Sequence, residues 1–195
     1  MVIRAIIFDC FGIIITDALQ AICDTLSQTE PEKARQIADA IGLSNKGIVS
    51  PESSWASIAR ILGMSYDDYL ARIQQGEAKQ QPVLDFIATL RPQYKTAMLT
   101  NASGNGLRRR FADGELACYF DIVVASGDVG FAKPEAQVYE ITADRLEVRL
   151  SECVMIDDRE EYCIGAAGVG MRTIWYRSFG QMKRELGRLL NSSAS

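Results

Sequence analysis

Four short stretches of this sequence carry side chains able to do chemistry, and each sits at the end of an apolar run or just before a helix. Asp9 closes the run Ile6-Ile7-Phe8 and is followed by Cys10, Phe11 and Gly12. Thr100 and Asn101 close the run that starts at Tyr94, and Lys133-Pro134 opens a helical pattern. Asp157 and Asp158 close the run Glu152-Cys153-Val154-Met155-Ile156. A carboxylate such as Asp9 can attack phosphorus and hold the phosphoryl group covalently. A hydroxyl (Thr100), a backbone N–H near a helix start (Asn101) and a fixed ammonium (Lys133) can take up the charge that develops on phosphoryl oxygens. Adjacent carboxylates repel each other and call for a cation, and an all-oxygen donor set of Asp9, Asp157 and Asp158 suits Mg²⁺. Three of the stretches also have an ordinary explanation: a helix cap for Asp9, a turn for Thr-Asn, a solvated side chain for Lys133. In this order, with these neighbours, the set is specific.

Such groups need a scaffold that brings strand ends together. The apolar residues from Val2 to Phe8 read as a strand buried on both faces, and a parallel sheet carries its chemistry at the carboxyl ends of its strands. Gly12 lets the backbone turn away behind Asp9. Ile13-Ile14-Ile15 is a second β-branched run, too close to the first for a helical crossover, and is expected as a small hairpin or flap. From Asp17 to about Gln80 the periodicity becomes helical, with four short helices and no strand. Pro31, Ser50-Pro51-Glu52 and Ser65-Tyr66-Asp67-Asp68 mark helix starts, and Gly63 marks a stop. From Pro82 onward strands and helices alternate, with strands expected over Tyr94 to Thr100, Asp121 to Ala125, Glu152 to Ile156 and Met171 to Trp175. Helices are expected around Leu107 and Phe111, from Lys133-Pro134, and through Met182 to Leu190, with a frayed tail over residues 191–195. The expected architecture is α/β: a doubly wound, mostly parallel sheet over 1–15 and 82–195, with an all-helical insert over 16–81.

Composition narrows the function. The 195 residues suffice for a core without disulfides or metal staples, and the net charge of -4 argues against nucleic-acid or anionic-membrane surfaces. No run is long and apolar enough to span a bilayer, and Asp9 interrupts the only N-terminal stretch that could serve as a signal. Five cysteines without a C-x-x-C pair fit reduced thiols, so the expected address is the cytoplasm. Cys10 is a second nucleophile by type, but strand alternation points it away from Asp9. The chain has no histidine, which removes imidazole-based triads, zincins and histidine phosphorelays.

The order of these motifs resembles the haloacid dehalogenase-like (HAD) hydrolase superfamily over nearly the whole chain. Ile6 to Gly12 is similar to its first motif, Leu99-Thr100-Asn101 to its second, Lys133-Pro134 to its third and Val154 to Asp158 to its fourth. Ala166 to Met171 also resembles what commonly follows, and the helical insert is similar in place and type to the family's C1 cap. The resemblance implies a doubly wound core with the cap over the catalytic strand ends. It also implies Mg²⁺, held by Asp9, Asp157, Asp158 and the backbone carbonyl of Phe11. The implied substrate is a small phosphorylated metabolite, hydrolysed through an aspartyl-phosphate on Asp9 with Thr100, Asn101 and Lys133 binding the phosphoryl group.

One position departs from the pattern. Most phosphatases of the family carry a second aspartate two residues after the nucleophile, as proton donor to the leaving alcohol. Here that residue is Phe11, which keeps its carbonyl but cannot move a proton. Asp17 is the nearest carboxylate in sequence and also reads as a helix start. Two other readings stand beside the phosphatase. An aromatic residue at Phe11 resembles the family's metal-independent 2-haloacid dehalogenases, and a halide leaves without a proton. A non-catalytic member that binds a phosphorylated ligand or a protein also tolerates Phe11. The intact Asp157-Asp158 pair disfavours the first, and the retention of Asp9, Thr100 and Lys133 disfavours the second. Lys46, Arg60, Lys79, Trp55 and the cluster Arg108-Arg109-Arg110 carry no assignment at this level.

Overall fold

The computed structural model describes residues 2–192. Its centre is a strand, β1 (Ala5–Phe8), which pairs in parallel with β2 (Lys95–Thr100) on one side and β4 (Cys153–Asp157) on the other. With β3 (Ile122–Ala125) beside β2 and β5 (Arg172–Trp175) beside β4, the sheet has the order β3-β2-β1-β4-β5 and every pairing is parallel. The strand order reverses about β1, so the carboxyl ends of β1, β2 and β4 open onto one crevice.

Alternation along β1 builds both faces of the core. Ile6 and Phe8 join one apolar cluster with Val83, Leu84 and Ile87 of α5 (Gln81–Leu90) and Met182 and Leu186 of α10 (Phe179–Ser192). Ala5 and Ile7 join the other, with Val138, Tyr139 and Ala143 of α8 (Ala136–Arg145) and Ala166 of α9 (Glu160–Gly168). Burial on both faces is why the strand reads as an unbroken apolar run. Four helices lie between β1 and α5: α1 (Ala18–Thr29), α2 (Pro31–Asn45), α3 (Pro51–Ile61) and α4 (Tyr66–Gly76). They share a cluster of their own around Ile22, Ile37, Ile58, Tyr69 and Ile73. Their starts follow the expected signals. The Ser50 and Ser65 hydroxyls accept from the backbone N–H of Ser53 and Asp68, and Pro31 occupies the first turn of α2.

The chain enters and leaves this helical block side by side. Ile15 bridges Lys79 in antiparallel fashion, the Gln80 N–H donates to Ile14 O at 2.8 Å and the Thr16 N–H donates to Ala78 O at 3.0 Å. The Thr16 hydroxyl in turn accepts from the Ala78 N–H at 2.8 Å.

Several boundaries differ from expectation. β1 starts at Ala5, not Val2, whose side chain is exposed. Ile13-Ile14-Ile15 is a tight turn with single bridges at Ile15 and no hairpin, because the N–H groups of Ile14 and Ile15 both return to Cys10 O. Helix α6 (Gly104–Arg108) ends before Phe111, and α7 (Ser126–Val129) is a single turn. α8 begins two residues after Pro134, since Glu135 is still extended and its carboxylate accepts from the Ala132 N–H. The expected frayed tail is helical at Asn191 and Ser192, and residues 193–195 lie outside the described part.

Candidate active site

All the residues singled out at the strand ends meet in the crevice. Asp9 follows β1 directly, its N–H donating to Ile156 O of β4 at 2.9 Å, so the sheet itself fixes where the carboxylate emerges. Asp157 is the last residue of β4, and one of its oxygens accepts from the Arg159 N–H at 3.0 Å. Lys133 reaches in from the loop before α8. Its ammonium lies 2.7 Å from Asp9 Oδ1 and 2.6 Å from Asp157 Oδ2, with no solvent exposure of the lysine side chain. Asp9, Asp157 and Asp158 each offer an oxygen within 4.8 Å of the others.

The electrostatics follow from this crowding. Burial raises the Asp9 pKa to about 7; Lys133 opposes the rise while Asp157 and Asp158 add to it. Burial, then Asp157, lifts Asp158 to about 6. Burial works against the Lys133 ammonium too, but Asp157 and Asp9 outweigh it and hold its pKa above the ordinary lysine value. With all groups charged, three carboxylates gather around one buried ammonium, and Arg159 offsets part of the charge on Asp158.

Two further contacts shape the site. The Asn101 side chain grips the backbone of Lys133 from both sides, Nδ2 donating to Lys133 O at 2.9 Å and Oδ1 accepting from Lys133 N at 2.8 Å. Asn101 thus positions Lys133 through its amide, a role different from the backbone donor expected from sequence. Thr100 ends β2 with a fully buried hydroxyl, and its Oγ1 is the one buried side-chain polar atom without a partner among the described residues. A buried hydroxyl without a partner is costly, so one placed beside three carboxylates calls for a reason in the site's chemistry. Gly12 has φ +80°, and a Cβ there would come within 2.2 Å of Asp158 Oδ2. Its lack of a side chain serves the carboxylate as well as the turn. Cys10 packs into the core beside Ile6 and Phe8, where burial pushes its thiol pKa well up, as alternation predicts for a bystander.

The crevice continues into the helical block as one cavity of about 980 Å³. Asp9, Thr100, Lys133 and Asp158 line its floor, and Leu19, Trp55, Ile58, Tyr69 and Ile73 line its walls. Of the unassigned cations, Lys79 is tied to Glu115 and Lys46 to Glu135, while Arg109 stacks over the Trp55 ring at 4.9 Å. Asp17 caps α1, accepting from the Gln20 N–H, and also lines the cavity. Sequence reasoning passed over Tyr162, whose hydroxyl meets Asn101 at 3.2 Å, and Arg159, which bonds Gln20 of α1. It also left Glu77 and Arg110 unplaced, and their contacts span separate segments that no local pattern joins.

Comparison with known proteins identifies the family. Residues 3–170 match the haloacid dehalogenase-like hydrolase family. The chain belongs to that family. The HAD fold recurs in a HAD family enzyme of Bacteroides thetaiotaomicron crystallised with magnesium and inorganic phosphate. That structure is 20% identical with a TM-score of 0.72 and covers 91% of this chain and 96% of its own. Among curated relatives, Phosphatase MT3486 of Mycobacterium tuberculosis is 31% identical over 64% of this chain and 57% of its own length. (S)-2-haloacid dehalogenase 1 of Pseudomonas sp. is 30% identical over 42% of this chain and 36% of its own length. The chain spans only part of such relatives, for instance 20% of the length of the bifunctional epoxide hydrolase 2 of Sus scrofa. Proteins named as phosphatase and as 2-haloacid dehalogenase are thus both among those this HAD member resembles.

Proposed function

We propose that this HAD hydrolase is a Mg²⁺-dependent phosphatase of small phosphorylated metabolites. The observation that carries the reading is the excess of negative charge at the strand ends beside the unpartnered hydroxyl of Thr100. The residues fit the metal. Asp9, Asp157 and Asp158 give hard oxygen donors, and three clustered carboxylates beside one buried ammonium suit a divalent cation. The Phe11 carbonyl would complete the protein's share of ligands. Bound there, Mg²⁺ would hold Asp9 ionised at neutral pH and neutralise charge on the phosphoryl group.

The protein's own groups then divide the work. A carboxylate oxygen of Asp9 attacks phosphorus, the ester P–O bond breaks and an aspartyl-phosphate forms. Water cleaves that acyl phosphate and restores Asp9. The Thr100 hydroxyl donates to a phosphoryl oxygen, which satisfies its missing hydrogen bond. Lys133 keeps Asp9 in place and adds positive charge where the phosphoryl oxygens gather. Helices α1 to α4, within residues 16–81, act as the cap that excludes water and selects the substrate, over a core of 1–15 and 82–195. All five cysteines are free, and no helix among the described residues is long and apolar enough to cross a membrane. We place the enzyme in the cytoplasm, acting on neither nucleic acid nor membrane.

A dehalogenase reading draws support from Phe11. It requires a substrate carboxylate to sit beside Asp158 and Asp157, and that repulsion disfavours it. The experiment is hydrolysis of 4-nitrophenyl phosphate, with Mg²⁺ and with chelator, by the wild type and Asp9→Asn. Turnover that needs both Mg²⁺ and Asp9 is expected. No turnover with any divalent metal would refute the reading, and halide release from a 2-haloacid would then favour the alternative.

A further inference from the structure

Phe11 stands where a proton donor is expected, and what covers its ring is a guanidinium. Arg110 lies 5.0 Å from the Phe11 ring centroid and lines the same cavity as Asp9 and Thr100. It is rigidly held. Its Nε and one terminal nitrogen donate to the two carboxylate oxygens of Glu77 at 2.8 and 2.6 Å, and the other terminal nitrogen donates to Gly106 O at 2.9 Å. Both side chains of the pair are largely buried, at 17% and 12% exposure. A guanidinium carries five N–H donors in a fixed fork. The three bonds to Glu77 and Gly106 leave one N–H on each terminal nitrogen uncommitted. Glu77 follows α4 and Arg110 follows α6, so the pair also ties the helical block to the segment that follows β2, next to the nucleophile's strand.

We propose that Arg110 takes the charge of the leaving oxygen, and that the substrate is a phosphomonoester of an acidic hydroxyl on an apolar or aromatic body. This rests on the phosphatase reading above. An arginine stays protonated in proteins, so it cannot give a proton to the leaving group; it can only hold that group as an anion. The step balances without an acid. Asp9 forms its bond to phosphorus, the ester P–O bond breaks, and its electron pair goes to the leaving oxygen. That oxygen departs against the free N–H groups of Arg110 and takes a proton from water after release. A phenol or enol meets this requirement and a simple alcohol does not. The wall beyond Arg110 carries Trp55, Ile58, Tyr69 and Ile73, which can hold an apolar or aromatic body.

Two measurements on the whole protein test the proposal. In the first, the wild type and Arg110→Met hydrolyse a series of aryl phosphates whose phenols range from strongly to weakly acidic. The ester of the weakest phenol is expected to slow by about 10²–10³, as when one oxyanion donor is lost, and the ester of the most acidic phenol by far less. Equal slowing along the series would overturn the proposal, because a cap loosened by loss of the Glu77 pair slows every substrate alike. The ratio within one variant does not depend on how much protein is folded. In the second, 4-nitrophenol is titrated with metal-free protein near the phenol's own pKa and followed by absorbance. The wild type should shift it toward the phenolate and Arg110→Met should not; identical spectra would overturn the assignment. The titration needs no turnover. If the wild type hydrolyses no aryl phosphate, the phosphatase reading fails while the phenolate shift still reports on Arg110.

Discussion

The ammonium of Lys133 lies 2.7 Å from the carboxylate of Asp9, with the lysine side chain wholly buried and the aspartate nearly so. Asp157 shares the same ammonium at 2.6 Å. Removing the cation from such a group strands two buried carboxylates. Lys133→Met is expected to cost about 3–5 kcal/mol of stability at neutral pH, the usual penalty for breaking a buried pair. Chemical denaturation in chelator would measure it. The loss should shrink in acid, where Asp9 is protonated without help.

The carboxylates predict how metal-free stability depends on pH. Asp9 has a folded pKa of about 7 against an ordinary 3.8, and Asp158 one of about 6. Between those values the folded chain binds more protons than the unfolded one. The contribution of these groups is therefore complete in acid and is lost as the pH rises through about 4 to 7. Thermal melts in chelator should show Tm of the wild type falling relative to Asp9→Asn across that window. Mg²⁺ should raise the wild-type Tm more at the alkaline end than at the acid end. Parallel curves for the two proteins in chelator would contradict the assignment.

Thr100→Val separates stability from function. The substitution keeps the shape and removes a buried hydroxyl that has no partner. Stability should rise by about 1 kcal/mol, because an unsatisfied polar group is no longer buried. Turnover of an aryl phosphate should fall at least tenfold, about 1.4 kcal/mol of barrier. Thr100→Ser should restore most of the rate. A rate unchanged in Thr100→Val would show that the hydroxyl does not face the substrate.

Gly12→Ala tests the close approach to Asp158. The new Cβ would fall 2.2 Å from Oδ2 in a backbone with φ +80°, so the carboxylate must move. Mg²⁺ affinity, read by calorimetry, should weaken by about 10- to 100-fold, the range seen when groups supporting a metal ligand are disturbed.

Much of this site is legible because strands and chemistry meet at the same places. Asp9, Thr100 and Asp157 each terminate an apolar run, where a strand buried on both faces reaches the open crevice. Lys133 is legible as a motif, but its place between two carboxylates is a product of the loop that Asn101 grips. The run Ile13 to Ile15 misleads for a physical reason. Its β-branched residues are buried, which is what composition reports, yet the left-handed turn at Gly12 folds them back onto Cys10 O. The grouping of Phe11, Glu77 and Arg110 is invisible in sequence, since each comes from a different segment and nothing periodic links them.

The hydrogen-bonded pairing of Thr16 with Ala78 has a mechanical consequence. Two ribbons hydrogen-bonded side by side bend readily across their plane and resist shearing within it. The block of α1 to α4 thus leaves and rejoins the core at one place, and the Lys46–Glu135 and Arg110–Glu77 pairs fasten it at others. Because the two ends already touch, the intervening residues are also dispensable to the sheet: joining Thr16 to Ala78 by a tight turn should leave a folded but permissive core. Specificity and foldability would then be separately editable in this chain.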